Sequence, residues 1–214
     1  MLDYGLTEEQ EAIRELARTI ADEEIRPVAA DYDIRNEFPW PVVKKMAEVD
    51  LFGVLVPEEY GGFGGTMTMN MCLITEELSK ACGGTALAFA GTALGVLPIL
   101  IGGSPELKER FLPDVASGKR LCAFAITEPG AGSDAGGVRT TAIRDGDHYV
   151  LNGTKQWITN AGEAEIYTVV ALTNPDKGPR GASVLVVEKD TPGFTFGKKE
   201  DKMGIRASAT RELH

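Results

Sequence analysis

The chain has 214 residues, 43% of them apolar, and a formal charge of −10. That is enough apolar material to pack one large domain or two modest ones, and so acidic a chain argues against nucleic acid or an anionic membrane as a partner. With only two histidines, His148 and His214, a histidine-based metal centre is not expected. Cys72, Cys82 and Cys122 are odd in number, lack C-x-x-C spacing and sit in apolar surroundings. They read as reduced core thiols of a cytoplasmic protein, or of the mitochondrial matrix in a eukaryote.

The opening from Met1 to Gln10 is acidic and has no basic stretch followed by an apolar one, so no secretory signal is expected. Thr7-Glu8-Glu9-Gln10 has the form of a capping box, after which Ile13, Leu16, Ala17, Ile20 and Ile25 recur at helical spacing up to Pro27. Asp22, Glu23, Glu24 and Arg26 then read as the solvated face of that first helix. Further helices are predicted over 41–51, 67–82, 86–101 and 105–117, divided by Gly- and Pro-marked turns such as Pro57-Glu58-Glu59-Tyr60-Gly61-Gly62-Phe63-Gly64-Gly65. Ala81 to Pro105 runs 25 residues without a charge, long enough to cross a bilayer. Gly83, Gly84, Gly102, Gly103 and Pro98 dilute its hydropathy and break it at both ends, so it reads as a helix buried between others. Residues 1–119 thus read as all-α.

From Leu121 the pattern changes to short β-rich runs at 121–127, 137–143, 147–152, 155–159, 165–173, 182–188 and 193–198, with turn pairs at Asp145-Gly146, Asn152-Gly153 and Pro192-Gly193. Such spacing predicts an antiparallel sandwich or barrel over 120–214, divided from the helices near Gly118-Lys119-Arg120. The fold class expected is therefore α+β. There are no internal repeats or low-complexity tracts.

Two segments carry the chemistry: Phe124-Ala125-Ile126-Thr127-Glu128-Pro129-Gly130-Ala131-Gly132-Ser133-Asp134, and Asn152-Gly153-Thr154-Lys155-Gln156-Trp157-Ile158-Thr159-Asn160. Gly130 to Ala135 formally satisfies the G-x-G-x-x-G/A fingerprint of dinucleotide folds, which has meaning only where a helix begins and turns its amides to the pyrophosphate. The run from Gly136 to Ile143 is instead β-branched and glycine-flanked, so that reading fails. A nucleophile elbow fails too, because Ala135 stands two residues after Ser133. A flavin ring needs an apolar wall and a few donors aimed at its polar edge. Thr127 and Thr159 end apolar runs, and Trp157 offers a broad aromatic face.

The two segments resemble the flavin-cradling pair of the acyl-CoA dehydrogenase family. Pro57 to Gly62, Leu112-Pro113 through Gly118, and Gly197-Lys198-Lys199-Glu200-Asp201-Lys202-Met203-Gly204-Ile205-Arg206 are similar to further segments of that family, so the resemblance runs from residue 4 to 214. It implies FAD as cofactor, an acyl-CoA as substrate, an electron-transfer flavoprotein as acceptor, and a homo-oligomer, tetrameric in the complete protein. By the same resemblance Phe124, Ile126 and Thr127 wall and hydrogen-bond the isoalloxazine. Gly132 and Ser133 approach the flavin and the pantetheine arm, with Ser133 on the substrate side. Trp157, Ile158 and Thr159 close the other flavin edge, Thr159 near N5 and O4. Glycines at 130 and 132 allow close approach of backbone to ligand.

In the family a glutamate removes the α-proton of the thioester while a hydride leaves the β-carbon for the flavin. The resemblance places that base in a C-terminal helical domain beyond His214, so no catalytic residue is assigned here, and the middle domain would be cut in its last strands. Glu128 is assigned to turn structure rather than to catalysis. The implied reaction is α,β-dehydrogenation of an acyl-CoA to the 2-enoyl-CoA, with an acyl-CoA oxidase or a non-catalytic flavin- or CoA-binding module as alternatives. For the helix at 86–101 the choice between a wall of the acyl pocket and plain helix packing stays open, since Ala88, Ala90 and Gly91 serve either.

Overall fold

A computed structural model describes residues 5–64 and 67–214. Met1 to Tyr4, Gly65 and Thr66 lie outside the described residues, and with them the start of the acidic opening and the end of the glycine-rich turn.

Helix α1, Glu8–Ile20, starts on the expected box: Gln10 N donates to Thr7 Oγ1 at 3.2 Å, and Thr7 N donates to the Gln10 side chain at 3.1 Å. The helix then widens into a π turn over Ala21–Ile25, where Arg26 N donates to Ala21 O at 2.9 Å. The wider turn suits the five-residue step from Ile20 to Ile25 and buries both. Helix α2, Ala29–Arg35, is not among the predicted elements. It has no buried residue and ends on Asn36 with φ 53, so it shows no apolar period to read.

Helices α3, Trp40–Glu48, α4, Met67–Ala81, α5, Gly83–Gly102, and α6, Pro105–Ala116, lie close to the predicted positions. One expectation fails: Gly83, Gly84, Pro98 and Gly102 do not break α5 but lie inside it, and the carbonyl that loses its partner at Pro98 belongs to Leu94, which is 52% exposed. Helix α5 is long and apolar enough to cross a bilayer, yet 61% of its most apolar window is buried against the rest of this fold.

The strands among the described residues are β1, Cys122–Ala125, β2, Thr141–Asp145, β3, His148–Asn152, β4, Lys155–Thr159, β5, Ile166–Leu172, β6, Ala182–Glu188, and β7, Thr210–Leu213. They do not form the antiparallel barrel or sandwich that turn spacing predicts. Strand β5 lies at the centre of a mixed five-stranded sheet, antiparallel to β6 and parallel to both β1 and β2, with β3 antiparallel to β2 beyond. Strands β4 and β7 form a separate antiparallel pair, and nothing closes into a barrel. The cause is legible in β5 itself. Ile166-Tyr167-Thr168-Val169-Val170-Ala171-Leu172 is almost wholly buried, as a strand covered on both faces must be, and such strands accept parallel neighbours.

Two further strand expectations shift. The run at 137–143 starts as a short turn over Ala135–Gly137 and becomes strand only at Thr141. The run at 193–198 makes only an isolated bridge from Phe196 to Leu213, and serves instead to stack Phe194 and Phe196 on buried Tyr167, at 5.0 and 5.6 Å between ring centres.

Helices and sheet share one continuous core, in which Phe52, Phe89, Leu121, Ile166 and Tyr167 are fully buried. Not every cysteine joins it. Cys122 is buried, which pushes its thiol up, and Cys82 is half-buried, but Cys72 is exposed, against the expectation of three core thiols. The small residues of α5 serve close packing: a Cβ on Gly95 would stand 2.6 Å from Cys122 Cβ, and one on Gly91 would stand 2.9 Å from Thr159 Cγ2. On the other side of α5, Leu87 and Ala90 are half-buried and Leu94 and Ile101 are exposed, an apolar stripe left uncovered by the described residues.

Candidate flavin site

The two motif segments meet at the end of β1. Gln156 N donates to Thr127 O at 2.8 Å, and the Lys155 ammonium donates to Ile126 O at 3.0 Å. Beyond Thr127 the chain turns tightly through Glu128-Pro129-Gly130-Ala131, closed by Ala131 N donating to Glu128 O at 3.0 Å and Glu128 N donating to Ala131 O at 3.1 Å. A Glu-Pro step at this corner is turn chemistry, as expected.

The Glu128 side chain has a further duty that sequence reading missed. It is buried and receives Lys155 Nζ at 2.7 Å, Arg139 N at 2.7 Å and Thr140 N at 3.0 Å. Burial alone would push its carboxyl up, but Lys155, Thr140 and the two amides outweigh burial and hold it down at about 2. An ion pair of this kind fixes geometry rather than moving protons: it ties the end of β1, the start of β4 and the 139–140 segment to one point.

Strand β4 then carries a β-bulge between Lys155 and Ile158, with Trp157 at φ 57. A bulky residue in the left-handed region is strained, and here the strain turns the indole outward, leaving Trp157 60% exposed while Lys155 and Ile158 both point inward. Of the eight positions singled out, Trp157, Gly132 and Ser133 are exposed, and Phe124, Ile126, Thr127 and Thr159 are half-buried. Ile158 is 3% exposed and belongs to the core, so only its backbone can face a ligand. Ile126 packs partly against Ala131, Val138 and Leu172.

The site offers a test of whether a flavin fits. A Cβ added to Gly130 or Gly132 would meet nothing within 4 Å, and neither residue has a left-handed φ. Neither the backbone nor the packing of the described residues requires glycine there, so backbone at these positions is open to close approach by a ligand. An exposed indole on strained backbone suits a large flat heteroaromatic group. A cleft of about 610 Å³ is lined by Thr140, Tyr149, Lys155, Val186, Phe194 and His214 among others; it reaches the Glu128 clamp through Thr140 and Lys155, but none of the eight positions borders it.

Residues 7–119 match the family model described as acyl-CoA dehydrogenase, N-terminal domain, and residues 123–214 match the acyl-CoA dehydrogenase, middle domain. This chain belongs to the acyl-CoA dehydrogenase family. Among relatives within it, the short-chain-specific acyl-CoA dehydrogenase of Clostridium acetobutylicum is 42% identical, the match covering 99% of this chain and 56% of the relative. The solved structure of butyryl-CoA dehydrogenase from Megasphaera elsdenii superposes with a TM-score of 0.95 at 38% identity, covering 99% of this chain and 56% of that one. An acyl-CoA dehydrogenase from Bacillus anthracis, solved in complex with FAD, gives 0.86 at 36% identity, covering 100% of this chain and 36% of that one. The chain thus spans 56% of the first two acyl-CoA dehydrogenases.

Proposed function

We propose that this chain forms the flavin-cradling part of an FAD-dependent acyl-CoA dehydrogenase that converts an acyl-CoA to the 2-enoyl-CoA. The observation that carries the reading is Trp157, a large apolar side chain turned outward on strained backbone, on a strand that Gln156 N ties to Thr127 O at 2.8 Å, where the first motif segment begins its turn. Phe124, Thr127, Gly132, Trp157 and Thr159 would hold the flavin, with Ile126 and Ile158 supporting from behind and Ser133 toward the thioester. FAD supplies a two-electron acceptor when bound. The chain's own residues contribute an apolar wall, hydroxyls at Thr127 and Thr159, and a backbone held rigid by the Lys155–Glu128 pair, so that donors need not reorganise. Glu128 is committed to that pair and is not the proton-abstracting base. The uncovered stripe Leu87, Ala90, Leu94 and Ile101 on α5 suits burial by further polypeptide or in a homo-oligomer. An electron-transfer flavoprotein is the proposed electron acceptor.

The test is dye reduction with acyl-CoA in the presence of FAD. The chain joined in frame to the C-terminal portion of a relative should turn over. The 214-residue chain by itself should be slower by about 10²–10⁴-fold or more, the usual effect of losing a positioned base. An inactive joined protein that still binds FAD would contradict the activity, and turnover by the chain itself would contradict the placement of the base.

A further inference from the structure

We propose that Asn160 is a positioning residue that locks the bulged, ligand-facing end of β4 to helix α5 and to β1. The proposal deepens the flavin reading above and rests on it for its ligand. Asn160 is fully buried, and its Nδ2 donates to Ala88 O at 3.2 Å and Cys122 O at 3.2 Å, with Thr92 Oγ1 at 3.3 Å. One side-chain amide thus joins three elements: α5 through Ala88 and Thr92, β1 through Cys122, and β4 through its own backbone, whose N–H donates to Ala209 O at 3.0 Å.

Three observations make this a designed junction rather than an incidental contact. Asn160 sits at φ 64, and Asn is among the few side chains that tolerate the left-handed region. Its Oδ1 is buried without a partner, so the amide orientation is fixed by its donors: reversing it would aim oxygen at two carbonyl oxygens. Gly91 on α5 faces it, and a Cβ there would lie 2.9 Å from both Asn160 Nδ2 and Thr159 Cγ2. The residue before Asn160 is Thr159, and Trp157 lies two residues earlier. The segment 156–159 is therefore clamped at its start by Lys155 on Glu128 and at its end by Asn160 on α5, with the strained φ of Trp157 held between the clamps. The consequence is that the position of α5, whose outer side carries the uncovered apolar stripe, and the pose of the Trp157 platform are set together.

The test perturbs the junction from both sides. Asn160→Gly keeps a backbone that accepts the left-handed φ but removes the amide. Gly91→Ala leaves Asn160 in place and pushes on it from the helix. Val115→Ala, in the core of α6 and outside the junction, serves as a control for lost stability. In a Trp40→Phe background the emission and acrylamide quenching of Trp157 are read without flavin, and FAD affinity is read by titration. Asn160→Gly and Gly91→Ala should each change Trp157 quenching and weaken FAD by about tenfold, while Val115→Ala changes neither. Folded junction variants with unaltered Trp157 quenching would overturn the proposal, as would equal changes in Val115→Ala. If Asn160→Gly does not fold, Gly91→Ala decides. Should the unmutated chain bind no FAD, the flavin reading fails, and Trp157 quenching alone still decides for or against the junction.

Discussion

Replacing Glu128 with glutamine should cost the fold about 3–5 kcal/mol, because it leaves the Lys155 ammonium buried without its counter-charge. Attraction in the low-dielectric interior offsets the desolvation of this pair only while both members are present. Lys155 keeps Ile126 O as an acceptor, and a carbonyl cannot neutralise it. The same pair sets an acid dependence. The Glu128 carboxyl is held at about 2 against an ordinary value of 4.5, so between those values the folded state binds fewer protons than the unfolded one. Its stabilisation is fully present above pH 4.5 and is lost as pH falls toward 2. Urea unfolding followed from pH 6 downward should show the wild-type midpoint falling through that window and a flatter profile in Glu128→Gln. Equal midpoints at neutral pH, or parallel acid profiles, would contradict the role of the pair.

Gly95→Ala should destabilise by about 3 kcal/mol, the upper part of the usual overpacking range. The new Cβ would stand 2.6 Å from Cys122 Cβ and 2.7 Å from Ala123 N, and neither atom can rotate away, since both belong to β1 in the middle of the molecule. Movement of α5 outward would relieve the clash but would stretch the bond from Thr168 Oγ1 to Gly95 O, now 2.9 Å. At about 2–4 °C per kcal/mol for a chain of this size, the melting temperature should drop by about 6–12 °C. The same substitution at Gly102, where a Cβ meets nothing, should cost little and serves as the comparison. A neutral Gly95→Ala would show that α5 does not press on the sheet as described.

The helices were legible because their signals are local: the Thr7 box, the apolar period that follows it, and glycines at the ends of α5. Sheet order was not, because its determining contact is remote. Cys122 pairs with Ile166 across a stretch that includes three other strands, and no turn dipeptide reports that. Asp145-Gly146 did mark a hairpin, with Gly146 at φ 60 between β2 and β3. Asn152-Gly153 looked equivalent, yet there the chain leaves one sheet for the other, and a Cβ on Gly153 would lie 2.4 Å from Thr140 Oγ1. In the candidate site the motif named the right segments but not their geometry. Alternation along β4 puts Lys155, Trp157 and Thr159 on one face; the bulge instead sends Lys155 and Ile158 inward and Trp157 out. The Lys155–Glu128 pair spans 27 residues, and Asn160 reaches Ala88 and Cys122, 72 and 38 residues away, so their spacing carried no signal. Only the tolerance of Asn for a left-handed turn hinted at Asn160.

The central claim, that the Phe124–Ser133 and Trp157–Thr159 segments hold FAD, is tested most directly by flavin retention. The chain reconstituted with FAD, alongside Trp157→Ala and Thr159→Ala, would be passed through gel filtration and the flavin-to-protein absorbance ratio recorded. Each substitution removes packing or a hydrogen bond of about 1–3 kcal/mol, so both variants should emerge with a clearly lower ratio than the unmutated chain. Retention unchanged in both would contradict the assignment.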